Sequence, residues 1–470
     1  MEAKANAFLE TEKVGTLMGK YAVPCIISLL VAALYNIVDQ IFIGQGVGYL
    51  GNAATTVAFP IVTIILAVGT MLGAGGSAYA AIKLGEKKEE EAENTLGNVF
   101  ILLVGIGIVL TVIGLVFLDP ILTIFGATPK NMGYAKDYAS IILLGTVFNL
   151  LGIGLSNMAR CDGSPNVAMY SMVAGALLNC VLDPIYIFVF HWGVQGAAIA
   201  TITSQIIATV ILLYYFTRKG NMRLRLTHTR LNPTICKMAF SLGISSCITQ
   251  LSSTILQIAM NNSLVYYGNQ TSVTGDVALS AMGIVMKISM IIVSICIGIG
   301  IGAQPILGFN RGANQPKRIK RCYRLASNIA TAVTTVGWAM FMLIPHIILM
   351  LFGSADANFT EFAIKAMRIF DLGVFCAGFQ VTSTSYFQAT GQPMKASILS
   401  SLRQLVLLIP LILLLPLHFG LDGILYAGPI ADITSAVIIF FFIHHEMKKL
   451  DVQIAQESGE ELGVYSEPIA

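Results

Sequence analysis

Charged residues are scarce in this sequence. Of its 470 residues only 11% are Asp, Glu, Lys or Arg, whereas 56% are hydrophobic, and the mean hydropathy is +0.77. Such a composition excludes an ordinary water-soluble protein and is typical of a chain that lies within a lipid bilayer. The formal net charge of +3 gives no indication of nucleic acid as a partner.

The motifs of common cofactor and nucleotide sites are absent too. The eight cysteines are scattered, mostly in apolar segments, and form no Cys-x-x-Cys pair, so no metal, redox chemistry or cofactor is indicated. No Gly-x-x-x-x-Gly-Lys-Ser/Thr sequence occurs, which argues against a nucleotide as the energy source. The polar segment Met1–Lys13 lacks the apolar core and cleavage site of a secretory signal. The first apolar segment is therefore expected to stay in the mature protein.

Long apolar sequence, by contrast, is abundant. The apolar residues fall into twelve blocks, most of them near the ~20 residues that a helix needs to cross the hydrocarbon layer. We therefore predict an all-α polytopic membrane protein with twelve transmembrane helices. The predicted spans lie near residues 16–42, 53–82, 95–118, 134–159, 165–190, 194–217, 238–266, 276–308, 322–350, 361–388, 393–417 and 421–445.

The distribution of lysine and arginine predicts the orientation of these helices. Most of the cations lie at the two ends of the chain and in the loops of one side, while the loops of the opposite side hold only Lys130, Lys136, Lys365 and Arg368. Because cytoplasmic loops carry the excess of Lys and Arg, we predict that both termini are cytoplasmic. The protein is then expected to be a multi-pass component of the cell inner (cytoplasmic) membrane.

The second half of the chain repeats the first at an offset of about 228 residues. The segment His191–Gly196 returns as His418–Gly423, and Asp162–Pro165 returns as Thr390–Pro393. A six-helix unit thus enters the membrane twice in the same direction, which predicts two parallel repeats that form a two-lobe transporter. The predicted units are an N-terminal ion-coupling lobe, a basic cytoplasmic linker, a C-terminal lobe and a disordered tail, at residues 1–217, 218–237, 238–447 and 448–470.

Two single carboxylates, Asp39 and Asp183, interrupt long apolar stretches. An ionised Asp at bilayer depth costs roughly 2.5–3.5 kcal/mol, so such a residue normally faces a cavity, pairs with another group or takes up a proton. Asn179 lies one helical turn before Asp183, and Pro184, which cannot donate to the carbonyl of Cys180, follows it. This combination suits a proton or a small cation, and the alternative is a hydrogen-bonded structural aspartate.

Other polar groups of the spans extend this candidate site. Thr201 and Thr203 offer hydroxyls at a similar depth, although Thr in a membrane helix commonly bonds its own backbone. The second half has no acid at the position that matches Asp183, which places the ion site in the N-terminal lobe alone. If the two acids face each other, the loss of one proton hinders the loss of the next. The polar face of the first span consists of Tyr35, Asn36, Asp39 and Gln40.

Several further residues are weaker candidates. Lys287 is expected to face the central cavity or to pair with an acid such as Asp371, and Arg403 to extend toward the cytoplasm. The roles of Asp371 and Asp432 stay open. Methionines can form a pliable wall for varied ligands or simply belong to the core. The predicted substrate cavity consists of Met260, Met282, Met286 and Lys287.

Four motifs together resemble those of the multidrug and toxic compound extrusion (MATE) family, and most of all its bacterial branch of DNA-damage-inducible and MepA-type exporters. The resemblance covers nearly the whole chain. Its motifs are Tyr35–Asp39 with Phe42–Gly44, Asn179–Ile187, Arg160–Pro165 and Gln388–Pro393.

This resemblance implies a V-shaped cleft between two lobes and the export of mostly cationic, aromatic drugs in exchange for protons or sodium. The sodium-linked branch of the family has an acid in span seven, where this chain has none, which favours protons. The resemblance assigns a proton or cation site to Asp39, Asn179, Asp183 and Thr201. It assigns the supporting network to Tyr35, Asn36 and Tyr138.

We therefore predict a non-enzymatic multidrug efflux antiporter that works by alternating access, as a monomer and without nucleotide or nucleic acid. The alternative is a lipid-linked oligosaccharide flippase of related two-lobe architecture. Such a flippase would need several arginines in its cavity, and only Arg403 is a candidate. An ion channel would need polar residues through both lobes, which the apolar C-terminal half does not offer.

Overall fold

The structure, a computed structural model, describes residues 8–47, 49–125, 127, 129–225, 230–350 and 357–458. Over these residues the chain is mostly helical and contains no β-strand. The main helices of the first half are α1 (Val14–Val47), α2 (Tyr49–Gly85), α3 (Glu89–Val116), α4 (Met132–Leu144), α5 (Thr146–Cys161), α6 (Pro165–Pro184) and α7 (Gly193–Tyr214). Those of the second half are α8 (Pro233–Gly268), α9 (Gly275–Gly312), α10 (Pro316–Leu343), α11 (Ala357–Phe370), α12 (Ala377–Ala389), α13 (Pro393–Ser401), α14 (Ile409–Leu414) and α15 (Leu421–Ser458).

Wider and tighter helical turns extend or join several of these helices. π-Helical turns follow α6 at Ile185–Val189 and α7 at Tyr215–Lys219, and a third, Leu402–Leu408, joins α13 to α14. A 3-10 turn at Asp371–Cys376 joins α11 to α12. Four short helices lie outside the main set, at Phe8–Thr11, Leu118–Ile124, Pro345–Met350 and Pro416–Phe419.

The described helices are long and apolar enough to cross a membrane in ten places. The number is eleven if α4 and α5, which meet at 52°, form one bent span. The sequence predicts twelve, and the difference lies near residues 361–388, where the 3-10 turn divides one predicted span into α11 and α12. The prediction of an all-helical polytopic membrane protein is confirmed.

The turns before matched helices have matched backbone conformations. Gly163 has φ +87° and Gly391 has φ +77°, values that glycine adopts without strain. Each precedes a helix whose first residue is proline, Pro165 in α6 and Pro393 in α13, where the missing amide costs nothing. The equivalent motifs therefore fold alike, as two copies of one unit should.

The final helix is longer than the sequence predicts. α15 continues to Ser458, whereas the sequence predicts a disordered tail from residue 448. Residues 459–470, and 226–229 of the predicted linker, lie outside the described part of the chain.

The two halves of the molecule meet mainly along α2 and α8 and along α1 and α9. At this seam the backbones touch. A Cβ atom added to Gly75 would lie 1.9 Å from the carbonyl oxygen of Ala239, and one added to Gly243 would lie 1.8 Å from that of Met71. Small residues permit such close approach between helices in lipid, so any side chain at either glycine would push the halves apart.

Helix α1 bridges the two halves. Its first half packs on α9, where a Cβ atom on Gly302 would meet Ala22 at 2.7 Å and one on Gly298 would meet Ile26 at 2.7 Å. Further along, α1 packs on α6 of its own half. A single helix thus connects the second half to the level at which Asp39 lies.

Candidate functional site

The packing of α1 against α6 brings Asp39 and Asp183 together. Asp183 is completely buried and Asp39 is only 7% exposed, and their carboxyl groups lie close enough to interact. Two adjacent carboxylates that are shielded from water are not both ionised without a compensating charge. The geometry therefore suits a shared proton or a bound cation.

Asn179 connects this pair to the neighbouring helix α7. Its side-chain amide donates to Asp183 Oδ1 at 3.2 Å and to Thr201 Oγ1 at 3.4 Å. The four-residue spacing of Asn179 and Asp183 places both on one face of α6. The structure thus brings together the four residues that the family resemblance assigns to the site, Asp39, Asn179, Asp183 and Thr201.

Three oxygen atoms at this site are buried and lack a hydrogen-bond partner among the described residues: Asp39 Oδ1, Asp183 Oδ2 and the side-chain oxygen of Asn179. A buried acceptor without a partner costs about 1–3 kcal/mol, and three in one place mark a site that is incomplete by itself. A proton on one carboxyl group would convert an acceptor into a donor. A hard cation would instead be coordinated directly by these oxygens, so the residues fit either coupling ion.

The helix that carries Asp183 changes its winding directly after Pro184. Proline removes one amide from the α-helical ladder, and the chain continues as the π-helical turn Ile185–Val189. Such turns occur often at functional sites. α1 approaches this turn closely, because a Cβ atom on Gly46 would lie 2.1 Å from Cγ2 of Ile187.

The predicted supporting network is present only in part. Tyr35 in α1 and the buried Tyr138 in α4 lie close enough to both carboxyl groups for electrostatic interaction. Asn36 is exposed, and its amide donates at 2.7 Å to the carbonyl oxygen of Ala32 one turn earlier. The polar residues of α1 extend beyond the site, and Asn36 lies next to the site.

The residues predicted to line a substrate cavity lie in different environments. Met260 and Met282 are completely buried in the apolar cluster of the second half. Met286 is half-buried against the same cluster, and Lys287 is exposed. In this conformation the first two methionines therefore belong to the core, because surrounding aliphatic side chains enclose them.

The buried acids Asp371 and Asp432 of the second half bond to neighbouring side chains, and one of these bonds is an ion pair. Arg403, which the sequence predicts to reach toward the cytoplasm, forms an ion pair with the buried Asp432. Asp371 is 3% exposed and accepts a 2.8 Å hydrogen bond from Ser289, while its predicted partner Lys287 is exposed. These contacts depend on residues far apart in sequence.

One buried acid, Asp162, has a structural role that the sequence does not reveal. Asp162, in the turn between α5 and α6, accepts hydrogen bonds from the Tyr215 hydroxyl at 2.6 Å and from the amides of Asn221 and Met222 at 2.8 and 2.7 Å. Burial raises the pKa of Asp162 to about 7, and these bonds oppose the shift. The sequence contains one indication of this role: the second repeat has Thr390 at the position that matches Asp162.

The sequence profile of the MatE family matches residues 24–185 and 245–414, one stretch in each half of the molecule. The chain belongs to the MATE family. Membership confirms the family that the motifs resemble and makes this MATE protein a transporter without enzymatic activity, as predicted.

Two relatives of this MATE transporter match over nearly their whole length. "Multidrug export protein MepA" of Staphylococcus haemolyticus is 26% identical over 453 residues, which are 95% of this chain and 97% of that one. A protein of the same name in Staphylococcus saprophyticus is 25% identical over 456 residues, covering 96% and 98%.

Solved structures agree with the fold. One is described as "Outward-facing conformation of a multidrug resistance MATE family transporter of the MOP superfamily", with a TM-score of 0.88 and 25% identity over 95% of this chain and 99% of that one. Another, "Crystal structure of MATE in the bent conformation", has the same score and identity over 96% and 99%. The predicted two-lobe transporter architecture is thereby confirmed.

Proposed function

We propose that this MATE transporter is a multidrug efflux antiporter that exchanges organic, mostly cationic and aromatic, compounds for protons. The observation that carries the proposal is the buried carboxyl pair Asp39–Asp183, where three acceptor oxygens have no hydrogen-bond partner among the described residues. The staphylococcal relatives are described as multidrug export proteins, which supports drugs as the substrate class. The protein would act as a monomer in the cytoplasmic membrane with both termini in the cytoplasm.

Protons fit the coupling site better than sodium for two reasons. Adjacent buried carboxyl groups bind one proton readily, because that proton relieves the repulsion between them. The described part of the second lobe offers no comparable partner: α8 contains no Asp or Glu, Asp432 is already paired with Arg403, and Asp371 is bonded by Ser289. Coupling would then reside in the first lobe alone.

The contacts between the lobes support alternating access. At the end that carries the termini, a Cβ atom on Gly85 would lie 1.9 Å from the carbonyl oxygen of Phe309. At the same end, Arg318 of the second lobe donates to the carbonyl oxygens of Leu9 and Glu12, each at 2.8 Å. We infer that this end is closed here and that the cleft opens toward the opposite side.

Helix α1 would transmit protonation to the lobes. It contains Pro24, whose carbonyl oxygen accepts a 2.8 Å bond from the Ser28 hydroxyl, and proline weakens the helix at that level. Its first half contacts the second lobe and its later part carries Asp39. When the carboxyl pair takes up a proton, α1 would bend, the cavity would change shape, and the drug would be released.

The proposal is tested by dye efflux from vesicles that contain the full-length protein. An imposed pH gradient is compared with an imposed sodium gradient at matched pH, with a fluorescent aromatic cation as the substrate. We expect the pH gradient alone to drive transport, and Asp39→Asn and Asp183→Asn each to abolish it at normal protein levels.

The matched control is Asp119→Asn, which removes an acid of the same lobe whose side chain is 64% exposed. This variant should transport at the wild-type rate. Full efflux by both Asp39→Asn and Asp183→Asn would refute the coupling site, and transport driven only by sodium would refute the proton.

The flippase alternative receives less support. Recognition of a lipid-linked oligosaccharide would need arginines that are available to its phosphates. Arg403, the candidate in the sequence, is held by Asp432. Efflux of the dye with no effect of added lipid-linked sugar would separate the two functions.

A further inference from the structure

A cleft of about 380 Å³ lies on the second lobe, away from the carboxyl pair. It is formed between the beginning of α13 and the later part of α15. The residues that line it are Lys395, Phe441, Phe442, His445 and Lys449. Nothing in the transport mechanism above uses them.

The cleft lies at the level where the hydrocarbon layer ends. α15 begins at Leu421 and has 38 residues, about 57 Å at 1.5 Å per residue, whereas hydrocarbon is ~30 Å thick. About twenty residues cross that layer, so a span that begins near Leu421, as the sequence predicts, places the stretch from Phe441 to Lys449 at the boundary with the headgroups. Lys395, the third residue of α13, reaches the same level from the start of its own helix.

The charge of the cleft is positive. The carboxylate of Glu446 is 9% exposed and pairs with Lys395, and it lies 3.9 Å from Lys449. The Lys449 side chain is 57% exposed, and His445 is exposed beside it. One buried carboxylate thus faces two lysines, so a net positive charge remains for an anion to approach, and His445 adds a polar ring to the same cleft.

Two aromatic rings lie next to the cationic end of the cleft. Phe441 is 65% exposed, and Phe442 is half-buried against the apolar core. A cationic rim next to exposed aromatic rings matches a molecule with an anionic head and an apolar tail. At the membrane boundary such molecules are anionic phospholipids.

In the first lobe, the chain itself covers the edge between α6 and α7 that corresponds to this cleft. Tyr215 lies at the position that corresponds to Phe442, and the chain after α7 folds back over that edge through the hydrogen bonds of Asn221 and Met222 to Asp162. In the second lobe the helix runs straight on to Ser458. Among the described residues, none after α15 folds back over this edge as Asn221 and Met222 do in the first lobe.

We propose that this cleft binds an anionic phospholipid of the leaflet on the side of the termini. The phosphate would face Lys449, His445 and Lys395, and an acyl chain would lie along Phe441 and Phe442. This site is separate from the transport site, so it stands or falls independently of the proposed antiport.

The test uses the full-length protein in nanodiscs of phosphatidylcholine to which phosphatidylglycerol is added. Bound lipid is counted by native mass spectrometry, and the thermal midpoint is measured at each composition. We expect retention of phosphatidylglycerol and a rise in midpoint. The double substitution His445→Gln with Lys449→Gln should weaken the apparent lipid affinity at least about fivefold, since one lysine near an anionic surface contributes about that factor.

The matched control is Lys448→Gln, which removes the same charge from an exposed neighbour that does not line the cleft. It should keep the wild-type response. Both variants should melt like the wild type in pure phosphatidylcholine, because the changed side chains are exposed. Equal losses in the variant and the control would reduce the effect to general surface charge and overturn the site. Equal stabilisation by inorganic phosphate would show an anion site without a lipid, which also overturns the proposal.

Discussion

The two lobes place buried acids in opposite electrostatic settings. In the first, Asp39 and Asp183 contact each other and leave acceptor oxygens without partners among the described residues. In the second, Asp432 is paired with Arg403. An acid beside another acid gains from a proton, whereas an acid beside a guanidinium already has its positive charge. Under the proposed mechanism, the same six-helix unit would accept a proton in one copy and hold a fixed ion pair in the other.

The difference between the two lobes is tested most directly by neutralising one acid in each lobe. Asp183→Asn should reduce proton-driven efflux to the rate of protein-free vesicles, because no second carboxyl group is then left to share and release the proton. Asp371→Asn should retain most of the activity, since Ser289 can donate to the new amide oxygen. Vesicle efflux at equal protein level measures both. Equal losses would mean that the two lobes contribute alike to coupling.

Removal of Arg403 should leave a buried acid of the second lobe without a cationic partner, as in the first lobe. Arg403→Gln leaves Asp432 buried without its partner, which we expect to cost about 3–5 kcal/mol of unfolding free energy. The double substitution Arg403→Gln with Asp432→Asn should recover most of that loss. Denaturant unfolding in detergent would show it. If the single and double variants unfold alike, the pair does not hold the second lobe together.

The turn after α5 offers a smaller contrast between the lobes. Asp162→Ala removes the acceptor of three hydrogen bonds and leaves the Tyr215 hydroxyl and two backbone amides without it. We expect a loss of about 3 kcal/mol and faster proteolysis in the linker. Thr390→Ala, at the matched position of the second lobe, should lose much less, because its hydroxyl bonds the Tyr386 carbonyl oxygen of its own helix.

The smallest effect is expected next to the coupling site. Asn36→Ala should change the unfolding free energy by no more than about 0.5 kcal/mol and leave efflux near wild type, since its amide bonds only the preceding turn of α1. Tyr138→Phe, at a buried position beside both acids, should slow efflux more. A strong defect in Asn36→Ala would place that residue in the coupling network after all.

Much of the candidate site follows from helical spacing. Asn179 and Asp183 had to share a face because four residues make about one turn, and an unexplained acid in apolar sequence had to find a partner. The same reasoning placed Asn36 in the site, because a polar stripe specifies a face only to within a residue or two. The pairing of Arg403 with Asp432 had no local signal, since it joins two helices through packing.

Sequence alone determined the membrane class, the duplication and the two isolated acids of the candidate site, because apolar length, repeated turns and isolated charges are local properties of the chain. Tertiary structure alone decided which acids meet, which are neutralised and which methionines are enclosed. Those outcomes depend on the distances between helices that are remote in sequence, and these distances are set by how closely glycines such as Gly75 and Gly243 let the backbones approach.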